Sequence, residues 1–213
     1  MRRLGPLARA LAYALRKTSS LVEGYEVTFL EEALRSFGLR GFLRWMRVST
    51  RVWRELVQRY GDRDAHLLAA CASLWNGCAY CAYGHLLAFN LHVFEEGHGL
   101  VGLDEAEVGS LMARTDPEVL AVLQRELAAP PFAAVLARVQ RQYALQSGMA
   151  GAQSEEDLLL RRAGGLYAWV NECSITVEPP APPLGPIAKK RPLRRHYEAA
   201  RARRRAQEAG DLP

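Results

Sequence analysis

No stretch of this chain reaches the roughly eighteen uninterrupted apolar residues that a membrane span requires. Four cysteines in 213 residues are too few for a secreted disulfide scaffold. Runs of alternating apolar and polar residues are missing, and Ile175-Thr176-Val177 is too short to build a sheet. No segment recurs with the period of a solenoid. A second CxxC, an HxxxH and a CxxH are also absent, whereas structural zinc sites draw on two separated ligand pairs. The start, Met1-Arg2-Arg3-Leu4, has the charge of a signal peptide. However, Arg9 interrupts the apolar run, Arg16 and Lys17 follow, and no small-residue cleavage site comes after them. The expectation is a cytoplasmic protein.

About half of the residues (49%) are apolar, which suits one medium-sized domain with a real core. Charge is unevenly spread. Residues 1–63 carry 13 Lys/Arg against 6 Asp/Glu, residues 64–185 carry 6 against 14, and residues 186–213 carry 9 against 3. The acidic middle argues against a nucleic-acid-binding core, although the basic end suits an anionic partner.

Helical patterns fill most of the chain. Leu7, Leu11 and Leu15 give a short amphipathic helix over 6–17. Phe29 to Phe37 gives another, stopped by Gly38, and Gly41 precedes a long pattern from Phe42 to Val57 that ends before Gly61. Asp62 to Trp75 follows, Asn76-Gly77 turns the chain, and a helix runs from near Cys78 to Glu95. Further helices are expected at 104–113, 117–128, 131–146 and 154–172, the second of these opened by Thr115-Asp116-Pro117-Glu118 and the fourth by Ser154-Glu155-Glu156-Asp157. Five prolines between Glu178 and Pro186 describe an extended linker. Lys189 to Arg205 then reads as a solvated, partly disordered tail, or as a dock for an acidic partner, a membrane surface or nucleic acid.

Reactive side chains concentrate in Cys78-Ala79-Tyr80-Cys81-Ala82-Tyr83-Gly84-His85. On a helix, positions i, i+3 and i+7 share a face, so Cys78, Cys81 and His85 project to one side. Cys78 falls in the opening turn, where unpaired N–H groups and the helix dipole favour a thiolate. A free thiol of pKa about 8.5 is only slightly ionised at neutral pH, and helix N-termini, CxxC pairs and nearby histidines lower that value. Two sulfurs so placed can close a disulfide, one resolving a sulfenic acid formed on the other, while His85 takes or gives the proton. Two other readings stand beside this one: a pair of small buried core residues, or three metal ligands completed by His66 or His92. Thiol redox chemistry without metal or cofactor is the expectation. Cys71 and Cys173 lack such surroundings and read as core residues, and His98 between glycines reads as loop.

The stretch Ala70-Cys71-Ala72-Ser73-Leu74-Trp75-Asn76-Gly77-Cys78-Ala79-Tyr80-Cys81-Ala82-Tyr83-Gly84-His85 resembles the signature of the alkyl hydroperoxidase D-like family, within the carboxymuconolactone decarboxylase superfamily. The shared elements are the small-apolar helix, Asn-Gly, CxYC, and a His four residues beyond the second Cys. The resemblance implies an all-α, compact multi-helix domain over 40–177, flanked by an N-terminal helical segment (1–39) and by the Pro-rich linker and basic tail (178–213). It also implies homo-oligomers and a metal-free peroxidase or disulfide reductase. Cys81 would then attack peroxide, Cys78 would serve as proton donor and disulfide partner, and His85 would belong to the proton relay. The family's relay usually includes a Glu twelve residues before the first Cys, and here that position is His66. A second imidazole supplies no negative charge to hold an imidazolium at His85. His66 would act as a neutral proton acceptor, or Asp62, one turn earlier, would replace the carboxylate.

The expected activity is a cysteine-based peroxidase or thiol–disulfide oxidoreductase, with a hydroperoxide or disulfide as substrate and a dithiol protein as electron donor. The alternative is a redox-responsive interaction protein whose cysteine pair oxidises without turning over. Lactone chemistry of the decarboxylase type needs no CxxC, so the cysteine pair argues against it.

Overall fold

The computed structural model describes residues 5–23, 30–174 and 184–210, which form eight α-helices, and no strand occurs among the described residues. The all-α expectation is met. The helices are α1 (Pro6–Glu23), α2 (Leu30–Trp75), α3 (Ala79–Glu95), α4 (Val108–Met112), α5 (Asp116–Leu127), α6 (Ala133–Gln146), α7 (Glu155–Ser174) and α8 (Arg191–Glu208). None among the described residues is long and apolar enough to cross a membrane.

Helix α2 is three segments joined at two redirections, Gly38 (φ 65°, ψ 172°) and Gly61 (φ 78°, ψ 165°). Positive φ is open to glycine and costly for an L side chain, so the breaks fall where the sequence put them. Gly41, read as a helix start, instead lies inside the 39–60 segment. The expected helix at 104–113 is divided as well, into a 3-10 turn (Glu105–Glu107) and α4. At the start of α5 the Thr115 N–H donates to the Glu118 carboxylate at 2.8 Å, and at the start of α7 the Asp157 N–H donates to Ser154 Oγ at 3.1 Å.

The 62–75 segment is the centre of the molecule and packs against α3 and α7. Its Ala65, Ala69, Ala70 and Ala72, with Ala82 and Ala88 on α3, are buried and let the helices approach closely. Leu67, Leu68, Phe89 and Leu160 are fully buried around them, each worth about 2 kcal/mol of apolar burial. Cys71 lies in this core, as expected, while the side chain of Cys173 is outside the described residues. Ala12, Leu30 and Leu34, from the segment read as N-terminal to the domain, pack in one cluster with Cys78, Tyr80, Cys81 and Tyr167.

The basic C-terminal segment differs from the expectation of a solvated tail: it is helix α8, and its anchor is polar. Tyr197 and Arg201 are buried. The Tyr197 hydroxyl donates to Glu105 Oε2 at 2.6 Å, while Arg201 donates to Tyr197 Oη (2.8 Å) and to the carbonyls of Val101 (2.7 Å) and Leu103 (3.1 Å). Arg205 grips Asp104 with two bonds of 2.6 and 2.7 Å, and Lys190 pairs with Glu95. Part of the tail's charge therefore neutralises the acidic middle of its own chain. Most of the proline-rich linker lies outside the described residues, but Leu184 is in place, its N–H donating to the Gly84 carbonyl at 3.1 Å.

Candidate functional site

The turn between α2 and α3 fixes the first cysteine. Helix α2 ends with the Gly77 N–H on the Leu74 carbonyl (3.1 Å) and the Cys78 N–H on the Ser73 carbonyl (2.9 Å), the pairing of a Schellman ending. Asn76 Nδ2 donates to the carbonyls of Ala72 (2.7 Å) and Gly164 (2.9 Å), and Asn171 Nδ2 donates to the Asn76 carbonyl (2.6 Å). The turn is thus tied to α7. Cys78 emerges as the N-cap of α3, its sulfur accepting the Cys81 N–H at 3.4 Å.

That arrangement makes the two thiols inequivalent. The Cys81 thiol hydrogen-bonds to Cys78, and this bond, then burial, then the charge on Cys78 push the Cys81 pKa well above its ordinary value. Negative charge in the pair is better placed on the Cys78 sulfur, at the helix N-terminus. Access runs the other way. Cys81 lines a cavity of about 680 Å³, and Cys78 is not among its walls. Trp45, Met46, Trp53, Val57, Leu166 and Val170 make the cavity mainly apolar, and His66, His85 and Tyr167 stand with Cys81 on its wall.

His85 shares the helix with the cysteines, but both its ring nitrogens are engaged elsewhere. Its Nδ1 is 2.9 Å from His66 Nδ1, and its Nε2 is 2.8 Å from the Tyr167 hydroxyl. Burial lowers its pKa to about 3, and His66 is held well below its ordinary value by burial, then by His85 and His92. Two neutral rings joined through Nδ1 must use opposite roles, one donating and one accepting. Tyr167 completes the chain toward the sulfurs: burial, then the charges of Cys81 and Cys78, push its pKa well up. The result is a neutral row, His66, His85, Tyr167, whose last member is near enough to the cysteine pair to feel its charge. A proton entering at one end can leave at the other by reversing each bond.

His66 therefore contacts His85 directly, in the position where the resemblance implies a carboxylate. Asp62 is exposed and lines the cavity, where its charge partly offsets the lowering of the His92 pKa by burial, and no hydrogen bond joins it to His66 or His85 among the described residues. His92 is half-buried and stacks on His66 at 5.8 Å. Trp53 covers His66 and His85 at 4.8 and 5.5 Å between ring centroids. Gly185, arriving from the C-terminal segment, closes over His66, since a Cβ there would lie 3.0 Å from Nε2. Tyr167 and Gly185 went unnoticed in the sequence because neither belongs to the motif, and only tertiary packing brings them to it. Among the described residues no three His, Cys, Asp or Glu side chains are grouped to hold a metal ion.

Comparison with protein-family models, with curated proteins and with solved structures gave no match, so the family resemblance rests on Ala70 to His85.

Proposed function

We propose that the chain is a metal-free thiol oxidoreductase of the alkyl hydroperoxidase D-like kind, reducing hydroperoxides or disulfides through Cys81 and Cys78. One observation carries this reading: Cys81 lines a large cavity, and its thiol hydrogen-bonds to Cys78, which does not line it. Cys78 as thiolate takes the Cys81 proton. The Cys81 sulfur then attacks a hydroperoxide oxygen, forming an S–O bond and breaking O–O, and the departing alkoxide takes the proton from Cys78 to leave as an alcohol. Cys78, again a thiolate, attacks the Cys81 sulfenic sulfur, forming the disulfide and releasing hydroxide, which a proton from the Tyr167 row converts to water. A dithiol donor returns two electrons and two protons by exchange and is left as its own disulfide. A disulfide substrate would enter at the same attack step.

The raised Cys81 pKa favours a second reading, a pair that oxidises slowly and signals its state without turnover. Peptide mapping after one equivalent of hydroperoxide tests the shared chemistry. A Cys78–Cys81 disulfide is expected, and oxidation confined to other residues would defeat both readings. Repeated oxidation and reduction in excess dithiol separates the first from the second.

A further inference from the structure

Eight large apolar side chains stand exposed among the described residues, and six of them lie on two elements: Leu7, Tyr13 and Leu21 on α1, and Leu39, Leu43 and Val48 on the 39–60 segment of α2. Leu7 and Leu21 are the most exposed of the set, at 73% and 78%. The α2 segment also carries exposed Arg40, Arg44, Arg47, Arg51 and Arg54. Their spacing alternates between four and three residues, which places the five within about 80° of arc on a helix that turns 100° per residue. Glu55 is the one acid between residues 39 and 60, and it pairs with Arg51 at 2.7 Å. The other four arginines form no ion pair among the described residues. Thr18 on α1 and Thr50, Arg54 and Gln58 on α2 are exposed and line the cavity, so it opens between the two elements that carry this surface.

We infer that this face seats on an anionic lipid surface, with the arginines among the phosphate headgroups and the exposed leucines at the acyl boundary. A bilayer interface accepts cationic and aliphatic side chains together, and each buried methylene or neutralised headgroup adds to the binding. Nucleic acid would leave the leucines against a polar, hydrated surface. A second copy of the chain in a two-fold pairing would set one arginine ridge against another. Helix α8 carries exposed Arg191, Arg195 and Arg203 but no large exposed apolar side chain, so charge and apolar surface coincide on α1 and α2 and not there. An apolar cavity opening onto the lipid would admit molecules carrying acyl chains. Docking does not require the thiol chemistry, so a Cys81→Ser chain should bind as the unaltered chain does.

The test is flotation of the full chain with vesicles. Vesicles of equal parts phosphatidylcholine and phosphatidylglycerol should carry the protein at low salt and release most of it at about 0.5 M salt, where the screening length falls to a few ångströms. Phosphatidylcholine alone should carry little. Arg40→Glu with Arg44→Glu and Arg47→Glu should weaken partitioning by at least about a hundredfold, since each arginine near such a surface contributes roughly fivefold and each added carboxylate is repelled in turn. Arg191→Glu with Arg195→Glu and Arg203→Glu removes the same charge and should leave partitioning within about threefold. Should the reversal disturb folding, as circular dichroism would show, the same three positions changed to Gln and a separate Leu43→Ser give the reading. The inference is overturned if the unaltered chain ignores anionic vesicles, if both triple variants lose binding equally, or if the α2 ridge retains duplex DNA but no lipid.

Discussion

The δ nitrogens of His66 and His85 lie 2.9 Å apart, with neither ring charged at neutral pH, and the far nitrogen of His85 rests on the Tyr167 hydroxyl. An imidazole that must stay neutral cannot hold a thiolate by charge and can act only by passing protons. Placing a carboxylate opposite His85 would change that. His66→Glu should raise the pKa of His85 from its lowered value and speed alkylation of Cys81 at pH 7 by about tenfold. NMR titration of His85 alongside iodoacetamide kinetics checks both, and an unmoved His85 would show that the ring at 66 does not set its charge.

Tyr167→Phe removes the hydroxyl that meets His85 Nε2 while keeping the ring that fills the core. Closure of the Cys78–Cys81 disulfide after hydroperoxide attack should slow by about a hundredfold, the lower range for losing a positioned proton donor. Unfolding in urea should show a loss of only about 1 kcal/mol.

Acid should destabilise the fold through the buried histidines. The His85 pKa is lowered from its ordinary 6.5 to about 3, so between those values the unfolded chain binds a proton at this ring and the folded chain does not. The stability this neutral ring confers is complete above pH 6.5 and drains away as pH falls toward 3, by at most about 1.4 kcal/mol per unit. His66 is shifted in the same direction and adds to the slope. Urea unfolding followed from about pH 7 to about pH 4 should show the decline, and His66→Gln with His85→Gln should flatten it.

Arg201 holds α8 on the loop after α3 through bonds to Tyr197, Val101 and Leu103. Arg201→Met leaves the Val101 carbonyl without its Arg201 donor, the Leu103 carbonyl with only Asn90, and the Glu105–Tyr197 pair without its cation, at a cost of about 3 kcal/mol. Limited proteolysis should then cut within 191–208 long before the rest of the chain. Equal resistance in the variant and the unaltered chain would mean that α8 is held by other contacts.

The contrast between the two ends of the site shows which signals a sequence carries. Gly38, Gly61 and Asn76-Gly77 marked the helix breaks because positive φ and turn chemistry are local properties of those residues. Cys78, Cys81 and His85 stood out for the same reason, as a short spacing on one helix. Their partners did not. Tyr167 is 82 residues from His85 and sits in an ordinary apolar pattern on α7, so only packing of α7 on α2 and α3 gives it a role. Helix α8 escaped because only two of its apolar side chains, Leu193 and Tyr197, pack on α3, and the rest of its hold is Tyr197 and Arg201 meeting Glu105 and two carbonyls, which no apolar periodicity announces.

Whether the Cys78–Cys81 pair turns over is tested most directly by following hydroperoxide consumption in excess dithiol, comparing the unaltered chain with Cys81→Ser. Continuous consumption by the first, and its loss in the second, is the expected result. Consumption that survives in Cys81→Ser, or an unaltered chain that stops after one equivalent, would contradict the proposed enzyme.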